Sequence, residues 1–171
     1  MPHFVRARAV AALAILGAAL GVLALAADIR AAEFDLVEAH TTTPEHPYTL
    51  GMVRYAQLVR ERTQGRVAIQ IHHSRQLGDE RQVVEGLQLG TVHLTVTSTG
   101  PLGGFVPEMN ALDLPFLFRD AGHAYKVLDG EIGRELLAKF EAVGITGLAF
   151  WENGFRHITT GKKLIERPAD L

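Results

Sequence analysis

The sequence contains no cysteine, which excludes disulfides, thiolate zinc sites, iron–sulfur ligation, a cysteine nucleophile and the lipidated cysteine of a bacterial lipoprotein. It also lacks an excess of either charge. Lys and Arg number 17 against 19 Asp and Glu in 171 residues, so the basic surface that a phosphate backbone demands is missing and no nucleic-acid partner is expected. Three catalytic or ligating patterns are missing as well. Eight histidines include no His-Glu-x-x-His arrangement, no serine sits in a Gly-x-Ser-x-Gly elbow, and the glycine-rich stretch around Gly100, Gly103 and Gly104 has no phosphate-loop lysine. What remains is 47% hydrophobic and 21% charged, the usage of an ordinary folded domain, in a chain long enough for one domain with a leader.

The leader is read from the amino terminus. Arg6 and Arg8 precede an uncharged run from Ala9 to Ala27 built from Ala, Leu, Val, Ile and Gly. Ala24-Leu25-Ala26 offers the small-x-small pattern cut by a signal peptidase, so residues 1–26 are expected to be a cleavable secretory signal and the rest a periplasmic domain. Ala7 separates the two arginines, which favours the general secretory route over the twin-arginine one. Cleavage there removes two bases and no acid, moving the formal charge from −2 to −4.

After Glu33, short apolar runs alternate with amphipathic stretches, the sign of an α/β domain with a largely parallel sheet. Strands are expected over 33–39, 66–72, 91–97 and 145–150, the third carrying Val92, Leu94 and Val96 on one face. Helices are expected from Pro47 to Gln64, from an Asp79 cap to Gly90, from an Asp120 cap to Leu128, and from Glu131 to Val143. In the last, Ile132, Leu136, Phe140 and Val143 share the core spacing and Glu135 and Lys139 form an i,i+4 pair. The loop 98–104 follows the third strand at its carboxyl end, where open parallel sheets place their ligands.

Several side chains bear on chemistry. His72 and His73 point to opposite faces of a strand, and His40, His46 and His93 read as surface or capping histidines, so no metal is expected. Asp79 and Glu80 read first as a helix cap and a first-turn acid. Arg156, beyond a strand and flanked by Trp151 and Phe155, offers a planar fork of donors that matches a carboxylate.

Four ordered segments then carry a resemblance: Gln76-Leu77-Gly78-Asp79-Glu80-Arg81; Thr97-Ser98-Thr99-Gly100-Pro101-Leu102 with Phe105-Val106-Pro107-Glu108; Leu112-Asp113-Leu114-Pro115-Phe116-Leu117-Phe118; and Asn153-Gly154-Phe155-Arg156-His157-Ile158-Thr159. Together they resemble the DctP-type solute-binding proteins of TRAP transporters. The resemblance implies a type II periplasmic-binding-protein architecture, two α/β lobes that close on an organic acid and present it to sodium-coupled TRAP membrane subunits. It implies no catalysis and no cofactor, and a monomer at full length. Arg156 matches the family's carboxylate-binding arginine, with Glu80, Ser98, Trp151 and Asn153 as further cleft candidates. On this reading residues 27–155 form the first lobe and residues 156–171 begin the crossover to a second. The second lobe, which carries another and usually principal carboxylate-binding arginine in the family, lies beyond Leu171, so a truncated product or fragment is expected. Two rival readings are a small secreted hydrolase using Ser98 or Ser74 with a histidine, and a membrane-tethered interaction module that keeps its leader.

Overall fold

The computed structural model describes residues 32–155, 159–161 and 165–167. The expected signal peptide and Arg156 lie outside the described residues. Strand β1 (Phe34–Ala39) pairs in parallel with β2 (Val67–His72), in register from Phe34 opposite Val67 to Ala39 opposite His72. Helix α1 (Pro47–Arg62) connects them. Its amino end is capped by the His46 ring, which accepts from the Tyr48 N–H, and Pro47 occupies the first turn, where its missing N–H costs nothing.

Helix α2 (Glu80–Leu89) follows β2. Asp79 caps it as expected: its carboxylate accepts from the Gln82 N–H while the Gln82 side chain accepts from the Asp79 N–H, and Gly90 ends the helix at φ 74°. The chain then returns along the free edge of β1. There the structure departs from the expected third strand, because residues 91–97 meet β1 through a single parallel bridge between Glu38 and Leu94. The cause is local. The His93 ring takes the Val37 N–H at 3.0 Å, and the Val37 carbonyl is shared between the His93 and Leu94 N–H groups, so a regular ladder has no place to start. The Thr95 hydroxyl still ties the segment to the Ala39 carbonyl at 2.6 Å, leaving β1 between β2 and this segment.

Beyond it run two 3₁₀ helices (Gly100–Gly104 and Pro107–Asp113), α3 (Ala121–Leu128), α4 (Glu131–Ala138) and a third 3₁₀ turn (Lys139–Val143). The expected helix 131–143 thus tightens after Ala138 and ends at Gly144 in the left-handed region, φ 77°. Its core face is narrower than the spacing suggests: Leu136 and Phe140 are buried, but Ile132 is 55% exposed. Lys139 makes its ion pair with Glu108, at 2.9 Å. Residues 145–150 form no strand among the described residues; they lie against α4, with Gly147 close to the Leu137 backbone. Among the described residues no helix is long and apolar enough to cross a membrane.

Two apolar clusters hold these elements. Ala39, Val83 and Val92, with Leu87, join α2 to β1 and its edge segment. Val106, Met109, Leu136 and Phe140, with Leu102, Leu112, Val143, Ile145 and Phe150, join the 3₁₀ helices to α4 and the following segment. At about 25 cal/mol per Å² of apolar surface, each buried Val, Leu, Met or Phe contributes about 2 kcal/mol.

Candidate functional site

The carboxyl ends of β1, β2 and the segment 91–97 face the first turns of α1 and α2, the position at which open parallel sheets bind ligands. Glu80, in the first turn of α2, and Ser98, just past the edge segment, meet there: the Ser98 hydroxyl donates to Glu80 Oε1 at 2.7 Å and the Ser98 N–H approaches the same oxygen at 3.4 Å. One residue on, the Thr99 hydroxyl donates to Asp113 at 2.7 Å. Next to Ser98, the Thr97 hydroxyl is buried and has no hydrogen-bond partner. Arg81 lies over the Phe105 ring at 5.4 Å and pairs with Glu85. Gly103 sits so close to Asn110 that a Cβ there would fall 1.9 Å from its side-chain oxygen, so close approach, and not a left-handed backbone, is what these glycines supply.

Trp151 occupies a second part of the same end. Its ring packs edge-on against Tyr48, centroids 6.2 Å apart, and covers Gly51, where a Cβ would fall 2.8 Å from the indole. It remains 42% exposed, so one part of the ring is packed and another is open. The next residue, Glu152, accepts a hydrogen bond from the Tyr125 hydroxyl on α3, and that bond holds the phenol above its usual pKa. Residues 151 and 152 are thereby pinned on two sides. Asn153 is exposed. Glu80 and Ser98 are brought together by the fold; no hydrogen bond or ring contact among the described residues joins Trp151 or Asn153 to that pair.

His40 departs from the surface or capping role expected of it. It is 2% exposed and sits between Glu38, fully buried, and Thr49, 3% exposed, in the first turn of α1. His40 Nδ1 lies 2.9 and 3.0 Å from the two Glu38 carboxyl oxygens, and Nε2 lies 2.7 Å from Thr49 Oγ1. Burial pushes Glu38 up to about 8 from the usual 4.5, against the opposing effects of His72 and a hydrogen bond from the Val96 backbone; burial lowers His40. The two-residue spacing of Glu38, on β1, and His40, one residue past its end, was the signal, since an extended chain places both on one face.

Among the described residues no three His, Asp or Glu side chains converge on a point that would hold a metal. Ser98 gives its proton to the Glu80 carboxylate, and the Ser74 hydroxyl, on a residue with φ 54°, meets its neighbour His73 in an exposed turn. Neither forms the nucleophile–base–orienter relay of a hydrolase.

A parallel α/β arrangement with hydroxyl and carboxylate groups at its strand ends is an architecture shared by many ligand-binding domains. The chain itself belongs to the DctP family, the bacterial extracellular solute-binding proteins of family 7, whose model matches residues 38–171. It is 50% identical over 117 residues to a solute-binding protein of Verminephrobacter eiseniae, covering 68% of this chain and 35% of that one. It is 37% identical over 157 residues to the C4-dicarboxylate-binding periplasmic protein DctP of Rhodobacter capsulatus, covering 88% and 46%. Among solved structures, a TRAP periplasmic solute-binding protein of Polaromonas sp. JS666 bound to D-erythronate matches with a TM-score of 0.73 and 48% identity, over 76% of this chain and 43% of that one. The chain spans less than half the length of each of these relatives. The α/β fold class and the family agree with the expectations from sequence, and the comparisons lend no support to a hydrolase.

Proposed function

We propose that the whole protein is the extracytoplasmic solute-binding subunit of a TRAP transporter, capturing an organic acid through its carboxylate and delivering it to the TRAP membrane subunits. The observation that carries this reading is the 48% identity to a structure holding D-erythronate, together with the Glu80–Ser98 pair at the strand ends. The two groups suit a hydroxylated acid. A carboxylate such as Glu80 repels the acid group of a ligand but accepts from its hydroxyls, while Ser98, its one proton given to Glu80, accepts from them. The acid group itself falls to Arg156, whose guanidinium makes two parallel bonds to a carboxylate, with Trp151 and Asn153 on the segment that leads to it. Closure of a second lobe over this face would bury the ligand and strengthen every one of those bonds.

In the same proposal residues 1–26 are a cleaved signal peptide that sends the protein to the periplasm, residues 27–155 are the first lobe, residues 156–171 begin the crossover, and the full-length protein is a monomer. Calorimetric titration of the protein, expressed at the length of its relatives, with a panel of C4-dicarboxylates, aldonates and neutral sugars tests it. At least one acid should bind and the neutral sugars should not. Arg156→Ala should weaken that acid by about 100-fold, the worth of a charge-assisted bidentate pair. Arg134→Ala, an exposed α4 residue that reaches only the Asp129 carbonyl, should change affinity less than about twofold. Equal losses in the two variants sink the assignment of Arg156.

A further inference from the structure

The hydroxyl of Thr49 fixes the protons of the buried network around His40. It donates to the Thr43 carbonyl at 2.7 Å, and a carbonyl can only accept, so the single Thr49 proton is spent there. Thr49 Oγ1 must then accept at its remaining contacts, from His40 Nε2 at 2.7 Å and from the Thr42 hydroxyl at 3.1 Å. Nε2 therefore carries a proton. Nδ1 faces the Glu38 carboxyl at 2.9 Å, and two bare lone pairs cannot lie that close, so a further proton sits between them.

We propose that Glu38 is a positioning residue of the binding face: as a neutral acid it donates its proton to His40 Nδ1 and so fastens the turn between β1 and α1 that carries Tyr48 and, packed on it, Trp151. The inference rests on the proposed solute-binding role only for the importance of that face, and its test needs no ligand. The alternative placement of the same proton, carboxylate beside imidazolium, would put two full charges in a site that is almost wholly excluded from water, where desolvation costs several kcal/mol per ion. His72 and the Val96 N–H favour the carboxylate, and burial outweighs them. β2 presents only His72 to Glu38, the segment 91–97 presents the Val96 N–H, with His93 engaged at the Val37 N–H, α1 presents Thr49, and α2 meets β1 through Val83. The raised Glu38 and lowered His40 agree in direction with that arrangement.

The sign of the pH dependence follows. An acid whose folded pKa is raised contributes fully below the ordinary 4.5 and loses that contribution as pH climbs to about 8; above that nothing further is lost. Glu38→Gln keeps the shape and an N–H aimed at Nδ1 but cannot ionise. Difference infrared spectroscopy of the chain should show a protonated-carboxyl band at pH 6 that fades as pH passes through about 8 and is absent in Glu38→Gln. Over the same range the emission of Trp151, the single tryptophan, should shift in the parent and stay flat in the variant. Should the variant fail to fold, nitrogen-15 NMR of His40 in the parent decides: the neutral tautomer protonated at Nε2 is expected at pH 6. An imidazolium there, a missing carboxyl band, or a Trp151 titration that persists in Glu38→Gln overturns the proposal.

Discussion

Hydroxyl groups at this site are committed to particular partners, and the consequence is clearest at Thr49. One oxygen, in the first turn of α1, accepts from His40 and Thr42 and donates to the Thr43 carbonyl, and both Thr49 and His40 are nearly inaccessible to water. Thr49→Val removes the oxygen without changing volume and leaves the buried His40 Nε2–H without its acceptor, while the Thr43 carbonyl still accepts from the His46 N–H. An unsatisfied buried donor costs about 1–3 kcal/mol, more than the roughly 1 kcal/mol net worth of a made bond. Urea unfolding at pH 6 should therefore show a loss of about 2 kcal/mol or more, where an exposed Thr→Val change would be within about 0.5 kcal/mol. Residues of this kind are the least legible in a sequence. Glu38 and His40 show their shared strand face through spacing, but Thr49 enters through a helix turn nine residues after His40. Glu80 and Ser98 were legible as cleft candidates through the family pattern, yet the bond between them spans eighteen residues and only the fold discloses it.

At the scale of elements, local bonds made the termini readable. Asp79 and Asp120 each accept from an N–H three residues on, an interaction contained within one turn, and both helix starts fall where the sequence puts them. Failures came where a distant group intervened. The His93 ring displaces the ladder bond that residues 91–97 needed to become a strand, and Lys139 prefers a carboxylate thirty-one residues away to the one four residues before it. Periodicity also says which residues share a face but not how wide the covered stripe is, which is why Ile132 is exposed beside buried Leu136. Helix packing supplies the sharpest expectation here. Gly133, buried in α4, lies against the carboxyl end of α3, where a Cβ would fall 1.8 Å from the Leu128 carbonyl oxygen. Alanine gains about 1 kcal/mol over glycine in a helix interior, but forcing two backbones apart costs about 1–3 kcal/mol or more. The clash wins, so Gly133→Ala should lower the unfolding midpoint, whereas Gly122→Ala, exposed on α3 with 3.3 Å to Asp120, should raise or preserve it.

For the molecule as a whole, the two apolar clusters divide the described residues into a part built on β1 and a part built on the 3₁₀ helices and α4. Met109, 1% exposed, is the most enclosed side chain of the second. Met109→Ala should cost about 3 kcal/mol through lost burial and a residual cavity. Hydrogen exchange should show that loss first in the amides of α4, with those of β1 and α2 least affected, if the clusters open separately. Equal acceleration throughout would mean that they open together.

That division gives the candidate site a thermodynamic meaning. Glu80 and Ser98 stand on the β1 cluster, while Trp151 and the residues after it leave directly from Phe150, which packs in the other. Between the two parts run few polar ties, among them the Gln88 amide to the Val143 carbonyl and the Thr99–Asp113 bond. On the proposed function, a solute gripped at once from Ser98 and from the segment beyond Trp151 would act as a cross-brace between the two clusters, and part of its binding free energy would return as cooperativity when the protein melts.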